Sequence, residues 1–397
     1  MKKISFISCW LSVFLIFNIF LNSANAFSTP ARSAYLIDMQ SGAEIISKEA
    51  HTLMPPSSML KLMTLVVAFD EIQDGNLKLD ERIIVSDAAD YQNPIWRDAS
   101  KICLVKGQKI SVNDAIMGLI VMSAGDAGVA LAEKIAGSED GMVQKMTEKA
   151  REIGMEKSSF GNVSGLPHPN NLMTSHELAI LAKYIIENYP DMYPLFATKR
   201  FEFNEYQSEW CAQWGKTKTL NYNKLLFIMP SADGLKTGHT ADGGYGMVAS
   251  AKIGDRRLIG IINGFKGKGH EALAAEMKRL MNYGFNKTMN KVFYKPDDKI
   301  IEIPVWYGRK KTVIATVKKP LAITLPRGFD TKELRVLARY QEPIPAPIRK
   351  GDKIGEIIIQ KNGQIVTRAP LVAAERVGKI QFLARIIKNI SVIINGK

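Results

Sequence analysis

The chain has 397 residues, 46% hydrophobic and 23% charged, which excludes a disordered protein and a multi-span membrane protein and leaves room for two or three domains. The lysines and arginines number 53 against 39 aspartates and glutamates, a formal net charge of +14, so an anionic partner is expected: nucleic acid, acidic lipid or an acidic polymer. The five histidines form no H-E-x-x-H or similar cluster, so neither a metal site nor a cofactor is expected.

Lys2 and Lys3 precede an apolar run from Ile4 to Leu21, and Ser23-Ala24-Asn25-Ala26 ends it with an A-x-A site. This reads as a secretory signal peptide over residues 1–26. The competing reading is an uncleaved anchor, because the run approaches the ~20 residues that a span needs. Cleavage would start the mature chain at Phe27. No other segment reaches spanning length, so the body is expected to be soluble on the far side of the membrane, where nucleic acid is no partner. Cys9 leaves with the leader. Cys103 and Cys211 are too few for a disulfide framework and either form one bridge or stay as two buried thiols.

Ala34–Asp38, the turn pair Ser41-Gly42 and Glu44–Ile46 read as strand, turn, strand. Pro55-Pro56 then opens a helix whose apolar residues Met59, Leu62, Met63, Val66, Val67 and Phe69 recur at three- and four-residue spacing. Residues 112–136, 139–154 and 176–188 are helical in pattern. The stretch from Asp233 to Phe265 reads as two strands, Tyr245–Ile253 and Arg257–Ile262, and a last helix covers Glu271 to Tyr283. Early strands, a block of helices and late strands predict an α+β domain over 27–291, its sheet pairing the early strands with the late ones.

Beyond Lys291 the helical pattern stops. Residues 292–379 contain short β-rich runs at 300–303, 312–317, 321–325, 334–338 and 355–359, with a hairpin signal at Asn362-Gly363. Pro343, Pro345 and Pro347 mark an irregular edge or loop. A small β-sandwich is expected. Residues 380–397 then place Ile380, Leu383, Ile387, Ile390 and Ile394 on one helical face opposite Gln381, Arg385, Lys388 and Asn389. This amphipathic helix suits the surface of a membrane, or docks on its own sandwich.

Three short motifs carry chemistry. In Ser58-Met59-Leu60-Lys61, at a helix start, the i,i+3 spacing lets the Lys61 amine reach the Ser58 hydroxyl and take its proton, provided that burial or a second cation lowers the amine's pKa. The helix start also offers backbone N–H groups to an oxyanion. In Ser123-Ala124-Gly125-Asp126, at the end of the helix from Val112, the serine can relay a proton; the sequence is also good helix-stop chemistry. In Lys236-Thr237-Gly238-His239-Thr240, a lysine and hydroxyls at a strand edge can hold a carboxylate, and the glycine admits a substrate backbone; an ordinary turn would look similar.

Taken in order, about 60 and 110 residues apart, the motifs match the S-x-x-K, S-x-N and K-T-G signature of penicillin-binding proteins and serine β-lactamases. The mature chain resembles the low-molecular-mass penicillin-binding proteins of the D-alanyl-D-alanine carboxypeptidase type (serine peptidase S11). Leu53 to Thr64 is similar to that family's nucleophile segment and Asp233 to Thr240 to its K-T-G segment. Ser164 to Pro167 and Asn221 to Leu226 share the likeness. The resemblance implies a penicillin-binding/serine β-lactamase-like transpeptidase fold, a trailing β domain and an amphipathic tail. It implies Ser58 as nucleophile toward the penultimate D-alanine of a peptidoglycan stem peptide, Lys61 as general base and Ser123 as proton relay. Lys236, Thr237 and Thr240 would bind the terminal carboxylate, and the N–H groups of Ser58 and His239 would form the oxyanion hole. β-Lactams would acylate Ser58.

One position departs from the pattern. Gly125 stands where the family has asparagine, whose amide bonds the substrate. Its loss is expected to cost about 1–3 kcal/mol, and a gain of rate in Gly125→Asn would show that cost. The carboxylate-side arginine of some relatives has no evident counterpart: Arg256 and Arg257 fall in an expected turn, and Leu273 lies near the corresponding place. Two other readings stay open, a binding scaffold with a weakened site and a β-lactamase. The absence of any glutamate from Ser158 to Ser175 speaks against the second.

The charge is unevenly spread. Residues 27–291 carry 30 basic and 30 acidic side chains, and residues 292–397 carry 21 and 9. The anionic partner is therefore expected under the C-terminal part, as lipid or cell-wall polymer, holding the enzyme peripherally at the periplasmic side of the bacterial inner membrane.

Overall fold

The computed structural model describes residues 27–215 and 219–381. They fall into two compact units, Phe27–Asn290 and a second that begins at Lys291. Residues 382–397 of the amphipathic helix expected at 380–397, and the leader, lie outside the described residues. Among these, no helix is long and apolar enough to cross a membrane.

The first unit is built on a five-stranded antiparallel sheet. Strands β1 (Ser33–Asp38) and β2 (Glu44–Lys48) form the early hairpin. β3 (Arg82–Ile84) and β4 (Lys109–Ser111) make a separate two-stranded pair. β5 (Ala232–Thr240), β6 (Gly244–Ile253) and β7 (Arg256–Phe265) complete the main sheet in the order β2-β1-β7-β6-β5. The expected pairing of early with late strands is therefore present, with Tyr35 opposite Ile261. The late region holds three strands, not two. The K-T-G segment is itself the edge strand β5, pairing Lys236 with Val248 and Thr237 with Met247.

Side chains alternate across the sheet with the period of two that strands impose. Tyr35, Ile37, Leu235, Val248, Ile259 and Ile261 face one apolar cluster, and Leu36, Met247, Ala249, Leu258 and Ile262 face another. The first cluster is filled by α1 (Lys61–Gln73), α2 (Val112–Met117), α3 (Gly125–Ala136), α4 (Glu139–Glu152) and α5 (Ser175–Asn188). Two short helices, α6 (Glu209–Gly215) and α7 (Leu225–Ile228), precede β5. On the other face lies α8 (Gly269–Lys287), contributing Leu273, Met277, Leu280 and Met281.

α1 is buried through nine consecutive residues, Lys61 to Phe69. A helix enclosed on all sides loses the amphipathic stripe of a surface helix, and here it makes the scaffold of the nucleophile motif rigid. Residues 112–136 do not form one helix. α2 passes into a π-helical turn, Gly118–Met122, and stops at Ser123, whose φ of 59° is left-handed; α3 begins two residues later. Apolar periodicity runs through this break, and only the helix-stop chemistry of Ser123-Ala124-Gly125-Asp126 marks it in the sequence.

In the second unit, β8 (Thr288–Tyr294) pairs with β11 (Leu321–Pro326). The remaining strands β9 (Ile301–Trp306), β10 (Thr312–Val317), β12 (Leu334–Tyr340), β13 (Ile344–Pro345), β14 (Lys353–Lys361) and β15 (Gln364–Ala373) form a six-stranded sheet in the order β12-β14-β15-β10-β9-β13. Its core includes Ile303, Val313, Ile357, Ile359 and Leu371. Asn362 and Gly363 join β14 to β15 with φ of 50° and 80°, the two positive values of a type I′ hairpin turn.

Candidate active site

A cleft of about 660 Å³ brings the three motifs together, lined among others by Ser58, Lys61, Ser123, Thr237, Gly238, His239 and Thr240. Ser58 sits in the 3₁₀ turn Ser57–Leu60, and the α-helix begins at Lys61. A 3₁₀ turn eclipses i and i+3, so it stacks the amine directly against the hydroxyl. The Lys61 Nζ donates to Ser58 Oγ at 2.9 Å and also to the Ser164 carbonyl. Lys61 is 2% exposed. Burial brings its pKa down to about 7, against an upward pull from Asp126. A lysine in that range is half neutral near physiological pH, the state required of a base.

Ser123, at its left-handed corner, receives a hydrogen bond of 2.9 Å from Lys236 Nζ. Lys236 is 1% exposed and also donates to the Thr237 carbonyl at 3.0 Å. Burial, and then the neighbouring Lys61, push its amine well below the ordinary lysine value. Lys61 thus adds to the burial that disfavours charge on Lys236, and an incoming anion would favour that charge.

β5 reaches the nucleophile turn through its glycine. A Cβ on Gly238 would stand 2.9 Å from the Pro56 carbonyl oxygen and 3.0 Å from the Ser58 nitrogen, so only glycine allows this approach. A hydrogen bond of 3.0 Å between Ser57 Oγ and Thr240 Oγ1 ties the strand's end to the same turn. His239 points outward and stacks on Tyr245 with ring centres 4.0 Å apart.

Two further contributors have roles that the sequence pattern does not assign. Asp126, beyond the serine corner, is fully buried; its carboxylate accepts the backbone N–H groups of Ile102 (3.0 Å), Leu104 (3.1 Å) and Ala127 (2.9 Å). Burial raises its pKa against the lowering effect of those bonds. It thereby fastens the loop that lines the cleft to the start of α3. In the same loop Cys103 is joined to Cys211 by a disulfide, with Cα atoms 5.8 Å apart, which settles the choice between one bridge and two thiols.

The carboxylate side differs from expectation. Arg256 pairs with Asp38 at 2.8 Å and Arg257 with Asp233 at 2.7 Å, both away from the cleft lining, and Leu273 is in the apolar core. The residue of that region that lines the cleft is His270, whose ring stacks on Tyr222 with centres 5.3 Å apart. Burial, with help from Lys236, lowers its pKa to about 4, so it stands there neutral. Gly125 does line the cleft, but the space that a side chain would need is filled by Trp96. A gain of rate in Gly125→Asn therefore meets a steric obstacle.

Glu139 and Glu177 are engaged elsewhere. Glu139 accepts from Val163 N at 2.9 Å, and Glu177 accepts from Lys157 N at 2.7 Å and Ser158 Oγ at 2.5 Å. Among the described residues, no group of three or more histidines, cysteines, aspartates or glutamates is placed to hold a metal ion.

Comparison with known proteins matches residues 21–266 to the family model described as D-alanyl-D-alanine carboxypeptidase, and residues 289–379 to that of the C-terminal domain of penicillin-binding protein 5. The chain is 33% identical over 362 residues to the D-alanyl-D-alanine carboxypeptidase DacC of Escherichia coli, covering 90% of this chain and 87% of that one. It is 29% identical to DacF of Bacillus subtilis, covering 89% and 88% respectively. Among solved structures, penicillin-binding protein 5 from Haemophilus influenzae superposes with a TM-score of 0.80 at 29% identity, covering 90% of this chain and all of the other.

Proposed function

The chain belongs to the D-alanyl-D-alanine carboxypeptidase family, the serine peptidases of class S11, and on that premise we propose how its cleft performs the reaction on peptidoglycan stem peptides. Ser58 Oγ attacks the carbonyl of the penultimate D-alanine as the Lys61 amine takes its proton. The C–N bond to the last D-alanine then breaks. The proton passes from Lys61 through the Ser123 hydroxyl to the departing amine. Lys236, Thr237 and Thr240 hold the terminal carboxylate, and the N–H groups of Ser58 and His239 receive the developing oxyanion. Water then attacks the ester on Ser58, gives its proton back through Lys61, and releases the shortened peptide.

The observation that carries this reading is the 2.9 Å bond between Lys61 and Ser58, with the amine held near pH 7 by burial. A β-lactam, presenting its own carboxylate and strained amide, fits the same groups and leaves an acyl group on Ser58. Structural neighbours include a penicillin-binding protein of Listeria monocytogenes in an ampicillin-bound form. Labelled penicillin should mark the protein, and Ser58→Ala should abolish the mark. A wild type that takes no label and frees no D-alanine from a pentapeptide would overturn the assignment in favour of a scaffold; rapid penicillin turnover would favour a β-lactamase.

The leader pattern at 1–26 supports export, and the Cys103–Cys211 bond agrees with it, because such bonds persist in oxidising compartments. We infer a periplasmic enzyme, peripherally attached to the membrane surface through residues 380–397 and the basic C-terminal unit. Deleting 380–397 should move the leader-cleaved protein to the soluble fraction. Continued membrane association would remove the tail from that role.

A further inference from the structure

The six-stranded sheet of the second unit has a face that its core does not use. Ile357, Ile359 and Leu371 point into the apolar core, so the residues between them on β14 and β15 point the other way. On that outer face the register places Leu337 of β12 beside Ile358 of β14 and Arg368 of β15. The row on one side is Arg335, Gln360 and Ile365, and the row on the other is Arg339, Glu356 and Pro370. Leu337 is 45% and Ile365 39% exposed, with Ile358 buried between them, and all three arginines are exposed. Arg335 and Arg339 lie four residues apart on one strand, about 14 Å, and Arg368 is two strands over, about 10 Å. An apolar patch thus stands among three guanidinium groups.

Edge protection does not account for it. Charge on an edge strand deters pairing with other chains, which would explain Arg335 and Arg339 on β12. It does not explain Arg368, two strands in, or the exposed Leu337. Nor are the arginines held by carboxylates. Among the described residues none of the three forms an ion pair, and Glu356 on the same face is taken by Lys353 at 3.3 Å. By contrast Lys361, on the core side of β14, pairs with Glu333 at 3.2 Å and lies over the Phe329 ring.

We propose that the outer face of β12, β14 and β15 is a docking surface for an anionic lipid bilayer. The guanidinium forks of Arg335, Arg339 and Arg368 take headgroup phosphate oxygens, and Leu337 and Ile365 enter the boundary between headgroups and acyl chains. An anionic wall polymer would meet the arginines but leave both apolar side chains in water, so lipid is the better match to the whole face. The inference rests on the membrane attachment proposed above and adds to residues 380–397 a second, folded contact.

The test uses the leader-cleaved chain with its tail intact, and vesicles of phosphatidylcholine with and without phosphatidylglycerol. Arg335→Gln, Arg339→Gln and Arg368→Gln should each weaken partition onto the phosphatidylglycerol vesicles about fivefold at low salt, and the triple variant about a hundredfold. Leu337→Ser and Ile365→Ser should each weaken it about threefold. Thermal midpoints should stay at the wild-type value, since these side chains are exposed. Alternation along β12 supplies an internal control. With Cys103 and Cys211 bridged, a cysteine placed by Leu337→Cys or Val336→Cys takes an environment-sensitive fluorophore alone. The probe at 337 should brighten and shift to the blue on vesicles, and the probe at 336, on the core side, should not. Wild-type partition in the triple variant, or equal response at 336 and 337, overturns the proposal and leaves the tail's role standing. Loss of binding to isolated peptidoglycan in the triple variant, with vesicle partition unchanged, makes the face a polymer site and overturns it too. A wild type that binds neither vesicle sinks the membrane attachment itself, and this inference with it.

Discussion

Residues 27–291 balance 30 basic against 30 acidic side chains, yet two of their lysines, Lys61 and Lys236, are 2% and 1% exposed. Residues 292–397 carry 21 basic and 9 acidic side chains, and lysines such as Lys318, Lys319 and Lys350 stand at the surface. The same residue type thus does two kinds of work. In the first unit, removal from water weakens the charge until the amine can accept a proton. In the second, hydration keeps the charge, and the role proposed for it is a long-range field. Net charge reports only the second kind. It reads zero over residues 27–291, where 30 basic side chains offset 30 acidic ones, and a sum does not tell a buried amine from a hydrated one.

The contrast can be tested from its strongest consequence downward. Lys61→Met removes the base and should cut acylation about 10²- to 10⁴-fold. The melting temperature should hold or rise, since an amine that resists burial has gone. A large fall in melting temperature would mean that Lys61 is there for structure. In the wild type, only the neutral amine accepts a proton, so the acylation rate should rise with pH through about 7 and level off above it. A flat profile between pH 6 and 8 would break the distinction between the two sorts of lysine.

Smaller effects follow. Replacing Cys103 and Cys211 together by alanine should lower stability by about 2–4 kcal/mol, read from denaturant unfolding, because a link across 108 residues restricts the unfolded chain. Asp126→Asn trades an acceptor of three backbone N–H groups for an amide that offers donors to some of them. A loss of about 1–3 kcal/mol is expected, with a slower acylation that tracks the loosened loop. Lys318→Gln and Lys319→Gln should each weaken partition onto phosphatidylglycerol vesicles by about 1 kcal/mol at low salt. Penicillin acylation should not change; if it falls too, the division of labour between the units is wrong.

The residues to which we assign the chemistry are the easiest to read. Ser58 and Lys61 are linked by a spacing that any helical turn enforces, and Lys236 stands in a motif only a few residues long. Strands with alternating burial and the Asn362-Gly363 hairpin were legible for the same reason: their cause is local. What escaped depends on distant parts of the chain. The corner at Ser123 is a left-handed non-glycine residue whose hydroxyl receives a hydrogen bond from Lys236, 113 residues away. Trp96 ends a short 3₁₀ turn, Pro94–Trp96, in a stretch without apolar periodicity, and its packing against the position of Gly125 joins residues 29 apart in the chain. Gly125 itself was visible as a departure, but its meaning was not, because an empty position and a filled one read the same in one dimension.

The disulfide also bears on timing. A chain that is to be threaded through a translocation channel must be pliable beforehand, and cytosolic thiols stay reduced. If the leader is used as proposed, the bond between Cys103 and Cys211 closes only after passage. The newly made chain would then be at its least stable on the side where it has to be drawn through. It would gain its full resistance to unfolding on the side where it works, so that one covalent bond acts as a latch against return.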